Sequence, residues 1–263
     1  MREFFGIGGY TRTPEGYLSW QHLLFVTSLM VIMVTLAIIF GRLNRYKDDK
    51  QKNKVIIVAA IMIDAIEIFK IIMMCFISHD PWRWIYELPL FLCSIQLITL
   101  PLAAFSKGRV KEAALDFILI FGVLGAVLGT YAAGQNYACY PVLSFDNVVS
   151  GITHSISGFA SLYILFSKMA SMKKKNIFIT FAILLSFCTA AYIANIILDY
   201  NYMFLMAGDG TPYDICYNLV GGNPILYPLF VVALFIAYIL AFYGVFFCAS
   251  IPERKKSSVI QSH

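Results

Sequence analysis

Cys93 and His154 are the side chains whose chemistry stands out against an apolar background. A thiolate is a strong nucleophile, and a neighbouring imidazolium stabilises it. Between apolar helices a bare thiolate is unfavourable, so a proton-accepting His is close to required. A third group should orient that His, and Glu67, Gln96, Asn195 and Asp199 are the candidates. The plainer readings are that a membrane Cys is a small hydrophobe and that the His is a packing residue bonded to a nearby hydroxyl. His154 shares a stripe with Ser150, Ser157 and Ser161 at i, i+4, i+7 and i+11, and Gly151 and Gly158 allow close helix approach.

Other ionisable residues interrupt the same background. Asp64, Glu67 and Lys70 follow one another at i, i+3 and i+6. An ionisable group in mid-membrane costs about 2.5–3.5 kcal/mol on insertion scales, so it should face a bundle interior. Glu67 and Lys70 can pair directly. An ion pair that locks helix packing and a polar wall of a site are both open readings.

The elements that must position these groups are transmembrane helices. Of 263 residues, 60% are hydrophobic and 13% charged, and the mean hydropathy is +0.75. A soluble domain has about half and a quarter, respectively. The expected fold class is all-α, a polytopic bundle of about seven transmembrane helices over 18–249, with a tail at 1–17 and a disordered tail at 250–263. The spans read as 18–41, 55–78, 86–106, 113–134, 147–167, 177–203 and 224–249. Pro89 falls in the first turn of the third span and Pro101 inside it, where it predicts a kink. Sixteen of the 20 Lys and Arg fall on one side of this layout, with Arg2, Arg12 and Arg83 on the other and Lys70 inside a helix. The positive-inside rule then puts the amino terminus outside and the carboxyl terminus in the cytoplasm. Cations confined to short loops signal orientation and argue against a nucleic-acid partner. The polar, Gly-rich start carries no cleavable signal pattern. Cys139 and Cys216 both fall in outer loops, where a disulfide between them is open.

With the spans in place, depths can be compared. Cys93, His154 and Lys70 each lie seven or eight residues from the outer ends of their spans, about 10–12 Å deep at helical rise. Asn195 is close to that level; His22 and Asp199 are shallower. Polar groups thus gather in the outer half, level with the acyl esters of a lipid. The chemistry expected there is ester cleavage through an S-acyl enzyme, with transfer or hydrolysis to follow. Cys93 and His154 are the expected catalytic pair; His22, Glu67, Lys70, Gln96, Asn195 and Asp199 are supporting polar residues.

The residues resemble a known family. Glu87-Leu88-Pro89-Leu90-Phe91-Leu92-Cys93 resembles the Leu-Pro-Leu-x-x-Cys signature of the bacterial YwaF-like integral membrane proteins. These are similar to the eukaryotic transmembrane-protein-164 family. Asn201-Tyr202-Met203-Phe204-Leu205 resembles that family's Asn-Tyr-Met-x-Leu element, and His154 and His22 match its His-bearing fifth and first helices. The resemblance runs from about Leu18 to Phe247. It implies a phospholipid acyltransferase with Cys93 as nucleophile and His154 as base, no cofactor, membrane phospholipid as acyl donor or acceptor, and a place in the bacterial plasma membrane. The chain departs from the pattern at Phe91, where a polar residue is common, and at Ser94, where an acidic one is common.

Other classes are weighed against this. A transporter or small-molecule-binding protein would line a polar path with Asp64, Glu67, Lys70 and Asp199. Seven helices also suit a receptor, but by fold analogy alone. A retinal protein is disfavoured because the seventh span has no Lys. A metal site of His22, Cys93 and His154 has no supporting spacing.

Overall fold

In the computed structural model, residues 2–260 are described, with side chains to Ala249. The tail expected over 250–263 falls outside the fully described residues. The helices are α1 (Arg2–Phe5), α2 (Trp20–Asn44), α3 (Asp49–Ser78), α4 (Gln96–Phe105), α5 (Gly108–Tyr131), α6 (Gly134–Cys139), α7 (Phe145–Phe166), α8 (Ile177–Leu198), α9 (Tyr213–Leu219) and α10 (Leu226–Ile260). No strand occurs among the described residues. Five helices are long and apolar enough to cross a membrane: α2, α5 with its continuation to Cys139, α7, Lys174–Leu198 and Leu226–Ala249. The chain is a multi-pass integral membrane protein. α3 is longer than any of these except α10 and the α5 run, but Asp64, Glu67 and Lys70 sit in its middle. The chain divides into two compact units, Met1–Ser171 and Met172–His263.

In the first unit α5 is the central helix, packed on α7 and α4, while α2 and α3 pack on α7 and α3 also meets α4. Side-chain caps start the outer helices of this layer. Ser19 accepts from the His22 amide, Asp48 from Gln51 and Ser144 from Asn147. Lipid tails give no hydrophobic push between helices, so contact here depends on small residues. A Cβ on Gly158 of α7 would stand 2.7 Å from Ala126 of α5 and overlap Met33 of α2. The end opposite the Cys93–His154 level is bracketed by polar bonds. Asn53 donates to the Ala104 carbonyl at 2.8 Å and accepts from Lys111 at 2.7 Å, and the Tyr163 hydroxyl donates to the Lys52 carbonyl at 3.1 Å.

The third span is where the structure departs from expectation. Residues 86–106 do not form one helix. A 3₁₀ turn at Arg83–Glu87 stops at Leu88, which is extended at φ −59° and ψ 143°, and helix resumes only at Gln96. Proline disfavours helical geometry in the residue before it, and Pro89 does so here at Leu88. The break therefore comes at Pro89 rather than as a kink at Pro101, which lies within α4. Cys93 sits in the turns between the two pieces.

In the second unit α8 ends at Leu198, short of the expected 203, because Asp199 turns left-handed at φ 50°. Asn195 holds the turn that follows. Its Oδ1 accepts from the Tyr202 amide at 2.6 Å and its Nδ2 donates to the Tyr202 carbonyl at 3.1 Å. Asn201 donates to the Ala207 carbonyl and accepts from the Met206 amide, while Met203 and Phe204 take positive φ. The Asn201–Leu205 element is thus a tightly bonded reversal.

Gly158→Val should lower stability by about 1–3 kcal/mol through overpacking against Ala126 and Met33. Thermal unfolding in detergent reads this, with Gly134→Ala as a near-neutral control because its Cβ would meet Tyr17 only at 3.6 Å.

Candidate active site

Gly122, Gly125 and Gly129 fall at i, i+3 and i+7 on α5 and share one face. A Cβ on Gly122 would lie 2.8 Å from the Ser157 carbonyl and 2.7 Å from Ser161 Cβ. One on Gly125 would lie 3.3 Å from Cys93, and one on Gly129 would overlap the His154 ring at Nε2 and Cδ2. This bare face lets α5 receive α7 and the broken segment together. It places Cys93 and His154 about one helical turn, roughly 6 Å, apart along α5. The thiol and the imidazole line the same cavity, and Cys93 Sγ also lies 3.9 Å from the Ser94 hydroxyl. The depth count for Cys93 assumed a helix that is not there; its level is set by contact with Gly125.

His154 is oriented by its own helix. Its Nδ1 lies 2.7 Å from the Ser150 carbonyl and 3.4 Å from the Ser150 hydroxyl. A carbonyl only accepts, so Nδ1 carries the proton. In the neutral ring Nε2 is then an open lone pair, and it lies on the edge facing α5. The orienting group is a backbone carbonyl one turn earlier, not one of the polar side chains the sequence offered.

Above the pair, Lys70 gathers three carboxylates from three elements. Its Nζ is 2.8 Å from Glu87, 3.0 Å from Asp146 and 3.9 Å from Glu67. Lys70 is 7% exposed, and Arg83 approaches the other oxygen of Glu87 at 3.7 Å. The expected Glu67–Lys70 pair is the longest of the set. The short pairs tie α3 to the first turn of α7 and to the residue just before Leu88-Pro89. A cavity with roughly 530 Å³ of free space is lined by Glu67, Lys70, Glu87, Cys93, Ser150 and His154, among others.

His22, Gln96, Asn195 and Asp199 are not among the residues lining this cavity. His22 is fully buried, accepting from the Leu18 amide at Nδ1 and donating from Nε2 to the Thr130 carbonyl at 3.1 Å. Both nitrogens are occupied, its ring stacks 3.9 Å from Tyr137, and it does not line the cavity. Gln96 caps no site: its Oε1 accepts from Thr99, and its buried amide nitrogen has no partner among the described residues. Asn195 and Asp199 belong to the second unit, where Asn195 holds Tyr202 and Asp199 is an exposed helix end. Asp64 does not line the cavity either. Among the described residues no three His, Cys, Asp or Glu side chains gather as a metal site, and Cys139 and Cys216 are both free thiols.

Sequence reasoning missed Glu87 and Asp146 as partners of Lys70, and the glycine face of α5. The signal for the glycines was present in Gly122-Val123-Leu124-Gly125-Ala126-Val127-Leu128-Gly129, where small residues recur at helical spacing. Nothing local marks Asp146, which also reads as an ordinary acidic first-turn residue.

Among known proteins, a sequence model of the TMEM164 family matches residues 17–243. No curated protein and no solved structure matches the chain.

Two substitutions probe this arrangement. Lys70→Met leaves Glu87 and Asp146 buried without their cation and should cost about 3–5 kcal/mol, read as a fall in thermal stability. Gly129→Ala should push the His154 ring away and slow alkylation of Cys93 by about tenfold or more, with the other cysteines as internal controls for the reagent.

Proposed function

We propose that this chain, which belongs to the TMEM164 family, is a membrane-embedded enzyme that transfers or hydrolyses acyl groups of lipid esters through an S-acyl intermediate on Cys93. The observation that carries the reading is the Nδ1 bond of His154 to the Ser150 carbonyl at 2.7 Å. It leaves Nε2 as the basic nitrogen, in a cavity that Cys93 also lines. A packing His would have both nitrogens occupied, as His22 does.

In the proposed reaction Nε2 takes the thiol proton and the sulfur attacks the ester carbonyl. The carbon–oxygen bond of the ester breaks, and the leaving alkoxide takes the proton from the imidazolium to depart as an alcohol. A hydroxyl acceptor, or water, then gives its proton to Nε2 and attacks the thioester. The carbon–sulfur bond breaks and the thiolate regains the proton. Membrane phospholipid serves as donor, acceptor or both. In this reading the ester enters the cavity while the tails stay in lipid.

The topology belongs to the same reading. Five long apolar helices, α3, and a third crossing made of the 3₁₀ turn, the segment 88–95 and α4 make seven. The cation asymmetry supports an amino terminus outside, and the resemblance to bacterial YwaF-like proteins supports a bacterial plasma membrane. With that orientation, the reading has the cavity in the outer half, level with ester carbonyls. The transporter reading gains no comparable support, since Lys70 is held by two short ion pairs.

Purified protein incubated with phospholipid should carry an acyl adduct on Cys93, released by hydroxylamine and seen by intact-mass and peptide mass spectrometry. Cys93→Ala should abolish it, and His154→Ala should slow its formation by about 10²-fold or more. A folded wild type that forms no adduct with several phospholipid classes, and turns over no lipid, would overturn the reading.

A further inference from the structure

A second, larger space lies along the same helices but away from Cys93. About 1160 Å³ of free volume is bounded by α2, α3 and α7, with Ile32, Leu36, Val58, Met62 and Ile156 in its walls. Ile32, Val58 and Met62 are 55%, 54% and 48% exposed, so its rim is uncovered. It shares no lining residue with the cavity at Cys93.

The lining decides what can fill it. Ser155 is the one hydroxyl there, and it already donates to the Gly151 carbonyl at 2.7 Å. Water needs several polar partners to settle in a cavity, and away from Lys54 these walls offer only that one hydroxyl. In a bilayer the filling for an apolar slot of this kind is a lipid tail. From Lys54 to Met62 the groove follows α3 for about 12 Å, close to the depth of one leaflet's hydrocarbon, about 15 Å.

One end of the groove has a charge. Lys54 is exposed and lines it. No ion pair among the described residues uses its ammonium, in contrast to Lys70. It follows Arg42, Arg45, Lys47, Lys50 and Lys52 on the cation-rich side of the chain. Lys54 and Lys70 are 16 residues apart on one helix, about 24 Å, so this is the opposite membrane face from the Lys70 cluster.

We infer that the groove between α2, α3 and α7 is a binding site for an anionic phospholipid of the cation-rich leaflet, with one tail against Val58 and Met62 and the headgroup phosphate on Lys54. A net negative headgroup is favoured over a zwitterionic one, whose own ammonium competes with Lys54 in a region already rich in cations. The site does not depend on the acyl chemistry proposed for Cys93.

The test is native mass spectrometry of the delipidated full chain with equimolar phosphatidylglycerol and phosphatidylcholine. Wild type should retain phosphatidylglycerol over phosphatidylcholine by about fivefold. Lys54→Gln should bring the two to parity, and Lys54→Arg should keep the preference. Val58→Trp, which fills the groove from its exposed rim, should reduce retention of both lipids. Lys54 and Val58 line this groove and not the cavity at Cys93, so these variants report on this site alone. Equal retention of the two lipids by wild type, or no change in Lys54→Gln and Val58→Trp, would overturn the inference.

Discussion

The first unit depends on how closely α5 approaches its neighbours. Helices in lipid gain little from burying apolar surface against one another, because the tails are equally apolar. What remains is close packing, and α5 achieves it by presenting Gly122, Gly125 and Gly129 along one face. A Cβ at Gly122 or Gly129 would overlap α7, and one at Gly125 would crowd Cys93 at 3.3 Å. With hydrogen atoms there instead, the Ser161 hydroxyl reaches the Leu119 carbonyl at 2.9 Å, and Cys93 and His154 come to one side of one helix. The same absence of bulk that permits the packing also creates the site.

Lys70 solves a different problem. A buried ammonium is costly unless it is paired, and here the pairing doubles as a brace. Glu87 stands immediately before the extended Leu88 and Pro89, and Asp146 stands in the first turn of the helix that carries His154. One cation therefore fixes the entrance of the Cys93 segment relative to the start of α7. The same helix, α3, carries Lys54 at its other end with no such partner, and the contrast in environment marks one lysine as internal architecture and the other as open to a ligand. A third kind of bracing, at His22, closes α5 near the site: both its nitrogens bond to backbone, one of them to the carbonyl of Thr130, next to Gly129.

The break between Arg83–Glu87 and α4 has a local cause and a distant consequence. Pro89 prevents helix at Leu88, and the chain turns through Cys93 before helix resumes at Gln96. Irregular backbone in a membrane protein is tolerated where it lines a cavity, and this segment does so. A Cys on an intact helix would have its backbone amide committed to the helical ladder and its side chain directed by the helix face. On a turn, its position is set by what it touches, which is Gly125.

Much of this protein was legible before any coordinates. Composition and helical-length apolar runs require an all-α membrane protein, because backbone polar groups in lipid must bond within their own segment. The scarcity of ionisable and nucleophilic groups within those runs singled out Cys93, His154, Glu67 and Lys70. Spacing along one helix also showed that Ser150 and His154 share a face. Relations between elements were not legible in the same way. Depth along a helix gives a level and not a neighbour, so Asn195 matched the level of Cys93 although only contact could show that its side chain bonds to Tyr202. Glu87 and Asp146 are ordinary end-of-helix acids until folding brings Lys70 between them. The sequence by itself determined which chemistry the chain carries and in what solvent it folds, since those follow from side-chain type and solvation. Only the tertiary structure decided which of those groups meet, because a meeting requires two separate segments to approach, and that was settled by three glycines on a helix that bears none of the chemistry.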